Sequence, residues 1–313
     1  MEFRLDDGQV ELQQTVARFC ADRFPLDAIA DRESRPVDRA AWRELADLGV
    51  LGLLTEGSGL GLVEAALVFE QLGSHLVPGP LLWTVLAAPL VDGAATGEVL
   101  VGGVDHAADP VIEHPADIDV LLVVVDDTIA LHRTPELPAP GPLDPLDPLT
   151  PVGSFAGLPA GEPLAADVAD VAELRRRGTV LSAALLAGIA ARALEVARSY
   201  AGERHQFGVP IGSFQAVQHL LADMYVEANL AQSAVYAAAA LPGVASGSRA
   251  KLLASDAAIG NARTAVQVLG GMGFTWEMLP HRLLKRAWVL EQSFGTNDDH
   301  ALHLGRTLSA TPA

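Results

Sequence analysis

Hydrophobic and polar positions alternate with helical spacing over roughly the first hundred residues, starting where Asp6 and Gln9 stand ahead of Leu12, Val16 and Phe19. An acidic residue followed three positions later by glutamine is a capping-box pattern, so a helix is predicted to begin there. Trp42, Leu45 and Leu48 mark a second helical stretch. It runs into the glycine-punctuated LGVLGLLTEGSGLGL, an irregular loop, and Val63 to Leu76 resumes a helix. From Glu98 the texture changes: EVLVGGVD and IDVLLVVVDDTIALH are short β-branched runs bounded by Gly, Asp and Pro, which predicts a small β region. It passes into RTPELPAPGPLDPLDPLTPVG, whose prolines forbid helix and leave edge strand or loop. From about Asp170 the period is helical again. Phe214, Val217, Leu221, Met224, Ala228, Ala231 and Val235 repeat at spacings of three and four behind Ser213, predicting a core stripe with a serine cap. Long helices over Glu173 to Glu203 and Ser248 to Leu269 complete an up-and-down four-helix bundle. The expected fold is mainly α with a small β region: an N-terminal helical domain (1–96), a shortened β domain with a Pro-rich segment (97–168) and a C-terminal bundle (169–313).

Composition narrows the function classes. The 313 residues are 50% hydrophobic, enough for a sizeable core. The formal net charge of -18, from 21 basic against 39 acidic side chains, argues against nucleic acid as a partner, although a few local arginines can still hold an anionic nucleotide. Cys20 is the only cysteine, which precludes an intrachain disulfide or a thiolate metal site and fits a reducing compartment. The opening MEFRLDDGQVELQQ is polar and carries no export signal. The most apolar run, Val180 to Ala197, contains Ser182, Arg192 and Glu195 and is predicted to be a buried bundle helix, not a membrane span. A cytoplasmic protein is expected. Gly57, Gly59 and Gly61 follow no strand and lack GxxxxGK, so they predict a turn and not a phosphate loop.

Two segments of the bundle, RHQFGVPIGSFQAVQHLLADM from Arg204 and QVLGGMGFTWEMLPHRLLKRA from Gln267, occur in the order and at the separation found in acyl-CoA dehydrogenases. LADLGVLGL and ALVFEQLGSHLVPGPLLW add likeness to that family's first helical domain. The chain therefore resembles an acyl-CoA dehydrogenase, and the resemblance implies FAD as cofactor and an acyl-CoA thioester as substrate. By it, Arg204, Gln206 and Phe207 reach across a dimer interface to the pyrophosphate and adenosine half of FAD. Gln267, Gly270 and Gly271 bring backbone to the same half, and Thr296 belongs to the cofactor-contacting set. These residue types have the right chemistry, since a guanidinium fork pairs with phosphate oxygens, an aromatic face covers apolar surface, and glycine allows close approach. Read without the resemblance, Arg204 caps a helix C-terminus and Gly270 to Gly273 stop a helix.

The chain departs from the family at the catalytic base, a glutamate that removes the α-proton while hydride leaves the β-carbon. In many members it directly precedes Gly-Thr, where this chain has Phe294; in others it lies on the first bundle helix, at the spacing that lands on Gly178. Neither takes up a proton. The catalytic base is thus unknown, with Asp298, Asp299 and Glu173 as the nearby carboxylates; Asp298 and Asp299 also read as a helix N-terminus behind Thr296 or Asn297. His300 and His303 are expected on a solvated helix face, with no metal site. The β region also lacks the Thr-Glu-Pro segment that lines the flavin ring in relatives. Keeping the contacts offered to a neighbour's FAD while losing its own pocket implies a partner: a second acyl-CoA dehydrogenase-type subunit in a two-plus-two heterotetramer, like those of actinobacterial steroid catabolism. The alternatives are a self-sufficient homo-oligomeric enzyme with a non-standard carboxylate base, or a flavin-free interaction subunit.

Overall fold

The structure is a computed structural model that describes residues 4–105, 110–164, 168–241 and 243–309, so the first three residues of the polar N-terminus lie outside it. In chain order come helices α1 (Asp7–Arg23), α2 (Arg39–Asp47), α3 (Leu62–Ser74) and α4 (Leu81–Ala87). Strands β1 (Val101–Asp105), β2 (Val111–Glu113), β3 (Val120–Val125), β4 (Thr128–Arg133), β5 (Gly141–Pro142), β6 (Val152–Ser154) and β7 (Glu162–Pro163) follow. The rest is the long helix α5 (Val168–Glu203), the short hairpin β8 (His205–Gln206) and β9 (Val209–Pro210), and helices α6 (Gln215–Ala240), α7 (Val244–Leu269), α8 (Pro280–Glu291) and α9 (Asn297–Ser309). Two compact units interleave along the chain. A bundle unit takes Met1–Ala30, Ala66–Val77 and Thr179–Ala313, and a mixed unit takes Asp31–Ala65 and Pro78–Gly178.

In the bundle unit, α1 opens with the expected capping box: Gln9 N donates to Asp6 Oδ1 (2.8 Å) and Asp6 N to Gln9 Oε1 (3.2 Å). The apolar window of α5 is 72% buried within the protein, the burial predicted for a bundle core helix. Two glycines set how closely α3 and α5 pack. A Cβ built on Gly188 would overlap the Glu70 carbonyl oxygen, and one on Gly73 would overlap that of Leu185. Asn261 of α7 donates to Ala190 O (3.1 Å) and Met224 O (2.9 Å), tying α7 to α5 and α6. A buried polar knot joins α1, α3 and α6. Glu70 accepts from Gln232 Nε2 (2.7 Å) and from the Tyr236 hydroxyl, which itself accepts from Gln13 Nε2 (3.3 Å), and desolvation pushes the Glu70 carboxyl above its usual range.

The stripe on α6 holds only in part. Met224, Ala228, Ala231 and Val235 are buried, but Val217 and Leu221 are half-buried and Phe214 is exposed. Ser213 does not cap the helix. It ends a 3-10 turn (Ile211–Ser213) that leads out of the hairpin, leaving Phe214 at the cap position with no side-chain acceptor.

The mixed unit holds a four-stranded sheet in the order β1-β3-β4-β7, parallel between β1 and β3 and antiparallel elsewhere, and a three-stranded antiparallel sheet in the order β2-β6-β5. The apolar run of β3 is buried on both faces from Val120 to Val124, and Leu121 and Val123 pack with Ile112, Ile118 and Phe155 into one core. The Pro-rich stretch contributes β5, an edge strand, because prolines lack the N–H that an inner strand must donate. Arg39 grips Asp119 through two bonds (2.8 and 3.1 Å), and Arg175, near the start of α5, does the same to Asp105 (2.8 and 3.0 Å).

Candidate cofactor and partner site

α5 ends on a backbone clasp. Arg204 N donates to Tyr200 O and Ile211 N donates to Arg204 O, each at 2.8 Å, so the chain turns back as a hairpin pairing His205 with Pro210 and Gln206 with Val209. Phe207 (φ +52°) and Gly208 (φ +82°) form the turn. Positive φ at both central residues is the geometry of a type I′ turn, which suits Asn-Gly and strains a bulky residue. Phe207 nonetheless occupies it and is 94% exposed, meeting Phe214 edge-on in an aromatic pair at 6.2 Å between centroids. Arg204 and Gln206 are exposed beside it, and the Arg204 guanidinium makes no ion pair among the described residues. Strain of this kind persists only where the surrounding structure holds it, here the clasp and the hairpin pairs on either side.

The second motif follows α7. Gln267 is exposed on the last turn, and Gly270 takes φ +62° and ψ -139°, open only to glycine. The neighbouring glycines differ in purpose. A Cβ on Gly273 would lie 2.6 Å from Val266 O, whereas one on Gly271 would meet nothing within 4 Å, so Gly271 serves no internal packing. Gly271→Ala is therefore expected to leave the melting temperature unchanged, and Gly273→Ala to cost about 2 kcal/mol; a thermal melt of the two variants checks the contrast. Beyond the turn, Phe274 and Trp276 are exposed. Lys285 Nζ stands 4.4 Å, and the Arg282 guanidinium 5.4 Å, from the Trp276 ring centroid. Lys285 is half-buried and Arg282 buried, its guanidinium donating to Trp276 O (2.6 Å), and the helical spacing that brings both to Trp276 is not visible in the sequence as a motif.

The third segment is the turn from α8 to α9. Thr296 is the N-cap of α9: its N–H and hydroxyl donate to Asp299 Oδ2 (3.0 and 2.7 Å), and Asp299 N donates back to Thr296 Oγ1 (3.2 Å). The same bonds hold the Asp299 carboxyl below its ordinary range, and Asp298 is exposed on the first turn. Phe294 is 9% exposed, with φ +55°. Glu173 and the buried Gly178 belong to the mixed unit. Glu173 accepts from Arg176 (2.6 and 2.8 Å) and Arg177 (2.7 Å), which keep its carboxyl low. Carboxylates stabilised as anions in this way are weak proton acceptors. The two histidines of α9 do not share the solvated face expected for them. His303 is exposed, but His300 is buried, with Nε2 donating to Phe294 O and Nδ1 facing Ser248 Oγ, each at 3.1 Å. Burial holds its pKa down.

Helices that precede and follow a small sheet region along the chain, with a C-terminal bundle that displays an arginine hairpin and a glycine turn, are the elements of the acyl-CoA dehydrogenase fold. The sequence matches the profile for the N-terminal domain of acyl-CoA dehydrogenases over residues 6–98 and that for the C-terminal domain over residues 176–309, and the chain belongs to the acyl-CoA dehydrogenase family. It is 34% identical to acyl-CoA dehydrogenase IpdE2 of Mycobacterium tuberculosis, over 88% of this chain and 89% of that protein. Among solved structures it is similar to the ChsE4-ChsE5 complex from Mycobacterium tuberculosis (TM-score 0.84, 23% identity, 100% of both chains). It is also similar to PigA with FAD and proline (TM-score 0.83, 20% identity, 99% of both chains).

Proposed function

We propose that this chain is a subunit of an FAD-dependent acyl-CoA dehydrogenase, presenting cofactor contacts to a second subunit of the same family that supplies the catalytic carboxylate. The observation that carries this reading is the pairing, on one hairpin, of an exposed Arg204, whose guanidinium makes no ion pair among the described residues, with Phe207, held in a strained conformation and 94% exposed. Such a pair fits a ligand with both phosphate and ring, and so does the open backbone at Gly271 with Lys285 and Trp276 nearby. Arg204 would hold the pyrophosphate, Gln206 and Gln267 would offer amides, and Thr296 would lie beside the cofactor at the start of α9. When bound, the flavin supplies the hydride acceptor for oxidation of the Cα–Cβ bond of the thioester. The proton is left to the partner, since Phe294 and Gly178 carry no base, Asp299 and Glu173 are held as stabilised anions, and Asp298 stands exposed to solvent on the first turn of α9. The likeness to heteromeric members supports a two-plus-two heterotetramer acting on steroid-derived acyl-CoA; among the structural relatives, ChsE4-ChsE5 is itself a complex.

The test is expression of this chain alone and with a second family member from the same genome. A yellow complex that reduces dye in the presence of acyl-CoA, formed only on co-expression, is the expected result. Stoichiometric FAD with turnover from this chain alone overturns the reading. Phe207→Gly is expected to relieve turn strain, raising the stability of the isolated chain by about 1 kcal/mol, and yet to lower FAD retention in the co-expressed complex. Denaturant unfolding together with flavin absorbance reads both effects.

A further inference from the structure

Lys251 is fully buried on α7 in the bundle interior, beside Ala250, Ala254, Ala257 and Ala258 of the same helix. Enclosing an ammonium costs far more than enclosing a methionine of similar reach, and burial accordingly pushes the Lys251 amine down to about 7; the polar end is explained by what it bonds. Its Nζ donates to Leu290 O (2.7 Å) and Ser293 O (2.6 Å), and to Ser182 Oγ of α5 (3.3 Å). Leu290 and Ser293 lie in the last turn of α8 and just beyond it, and Leu290 O also accepts from Ser293 N (3.1 Å), so Lys251 adds to the closing bond of the turn. One turn earlier on α7, Ser248 faces Nδ1 of His300, whose Nε2 donates to Phe294 O. Three carbonyls of one short turn are thereby gripped by two side-chain arms that both start on α7. Phe294 (φ +55°) lies between the Ser293 and Phe294 grips and Gly295 (φ +98°) directly after them, a conformation that a phenylalanine keeps only where its surroundings over-determine it.

We propose that Lys251 is a positioning residue: with His300 it fixes the backbone of residues 291–296, the turn that presents Phe294 and Thr296. The position of residue 294 is thus set by the bundle and not by the side chain that occupies it. The backbone part of this proposal is independent of the function proposed above; its consequence for FAD rests on that reading.

The experiment is amide hydrogen exchange on the full chain expressed alone, wild type against Lys251→Met, with flavin content read separately on the co-expressed complex. Exchange over 292–297 is expected to rise at least roughly tenfold, the factor that loss of two hydrogen bonds to backbone carbonyls sets, with α5 and the body of α7 unchanged. FAD retention should fall with it. Unchanged exchange at 292–297, or a rise shared equally by α5 and α7, overturns the positioning role. A local rise with full FAD retention upholds the positioning role and removes Thr296 from the cofactor contacts. Ser248→Ala, which frees only the His300 arm, provides a milder variant should Lys251→Met fail to fold: a rise of about threefold confined to 294–296 supports the proposal, and no rise overturns it.

Discussion

Replacing Arg204 with alanine is expected to empty the co-expressed complex of flavin while leaving the melting temperature of this chain where it was. The second half follows from the exposure of Arg204 and the absence of any ion pair to its guanidinium among the described residues, so the fold loses nothing when the side chain goes. The first half follows from chemistry: a guanidinium meeting phosphate oxygens makes two parallel charge-assisted bonds, and losing them costs about 3 kcal/mol, roughly a hundredfold in the FAD dissociation constant. Arg204→Lys should fall between, since an ammonium keeps the charge but not the fork. Flavin-to-protein ratio and titration of the apo-complex measure the effect. A complex that stays yellow with Arg204→Ala would turn the reading toward a flavin-free interaction subunit.

The largest effect on the fold itself is expected at Gly188. In an open helix, glycine to alanine gains about 1 kcal/mol from helix propensity alone. Here the new methyl would overlap the Glu70 carbonyl oxygen on α3, an atom that cannot rotate away, so α3 and α5 must separate and their shared core loosen. The expected outcome is a loss of about 3 kcal/mol, opposite in sign to the propensity gain. Chemical denaturation settles the sign, and a stabilised variant would mean that the two helices are not in contact there.

Much of this was legible from residue patterns. The capping box at Asp6, the β-branched runs of β1, β3 and β4, and the long helices α5 and α7 follow from spacing and composition, because each is decided by its own residues. What was hidden depends on partners far along the chain. His300 was expected in solvent because its own helix is polar around it, and only the packing of α9 on Ser248 buries it. The stripe on α6 was expected to be uniform, but Phe214 at its start is left exposed, as an interface residue would be. Ser213 is a good capping residue that the hairpin before it holds out of register. At the candidate site, the residue types at Arg204 and Phe207 came from sequence, whereas the unusual backbone at Phe207 and the cations beneath Trp276 did not.

The interleaving of the bundle unit has a consequence for how the protein is made. Gln13 on α1 meets Tyr236 on α6 across 223 positions, and Glu70 on α3 meets Gln232 across 162. At a synthesis rate of about 5–20 residues per second, α1 waits roughly ten to forty-five seconds on the ribosome before its partner exists. The mixed unit is finished during that wait, so the nascent chain carries a completed body while the apolar face of α3 and its Gly73 remain uncovered. Closure of the bundle is accordingly a late event, and the emerging chain is a natural client for chaperones that shield helices awaiting their mates.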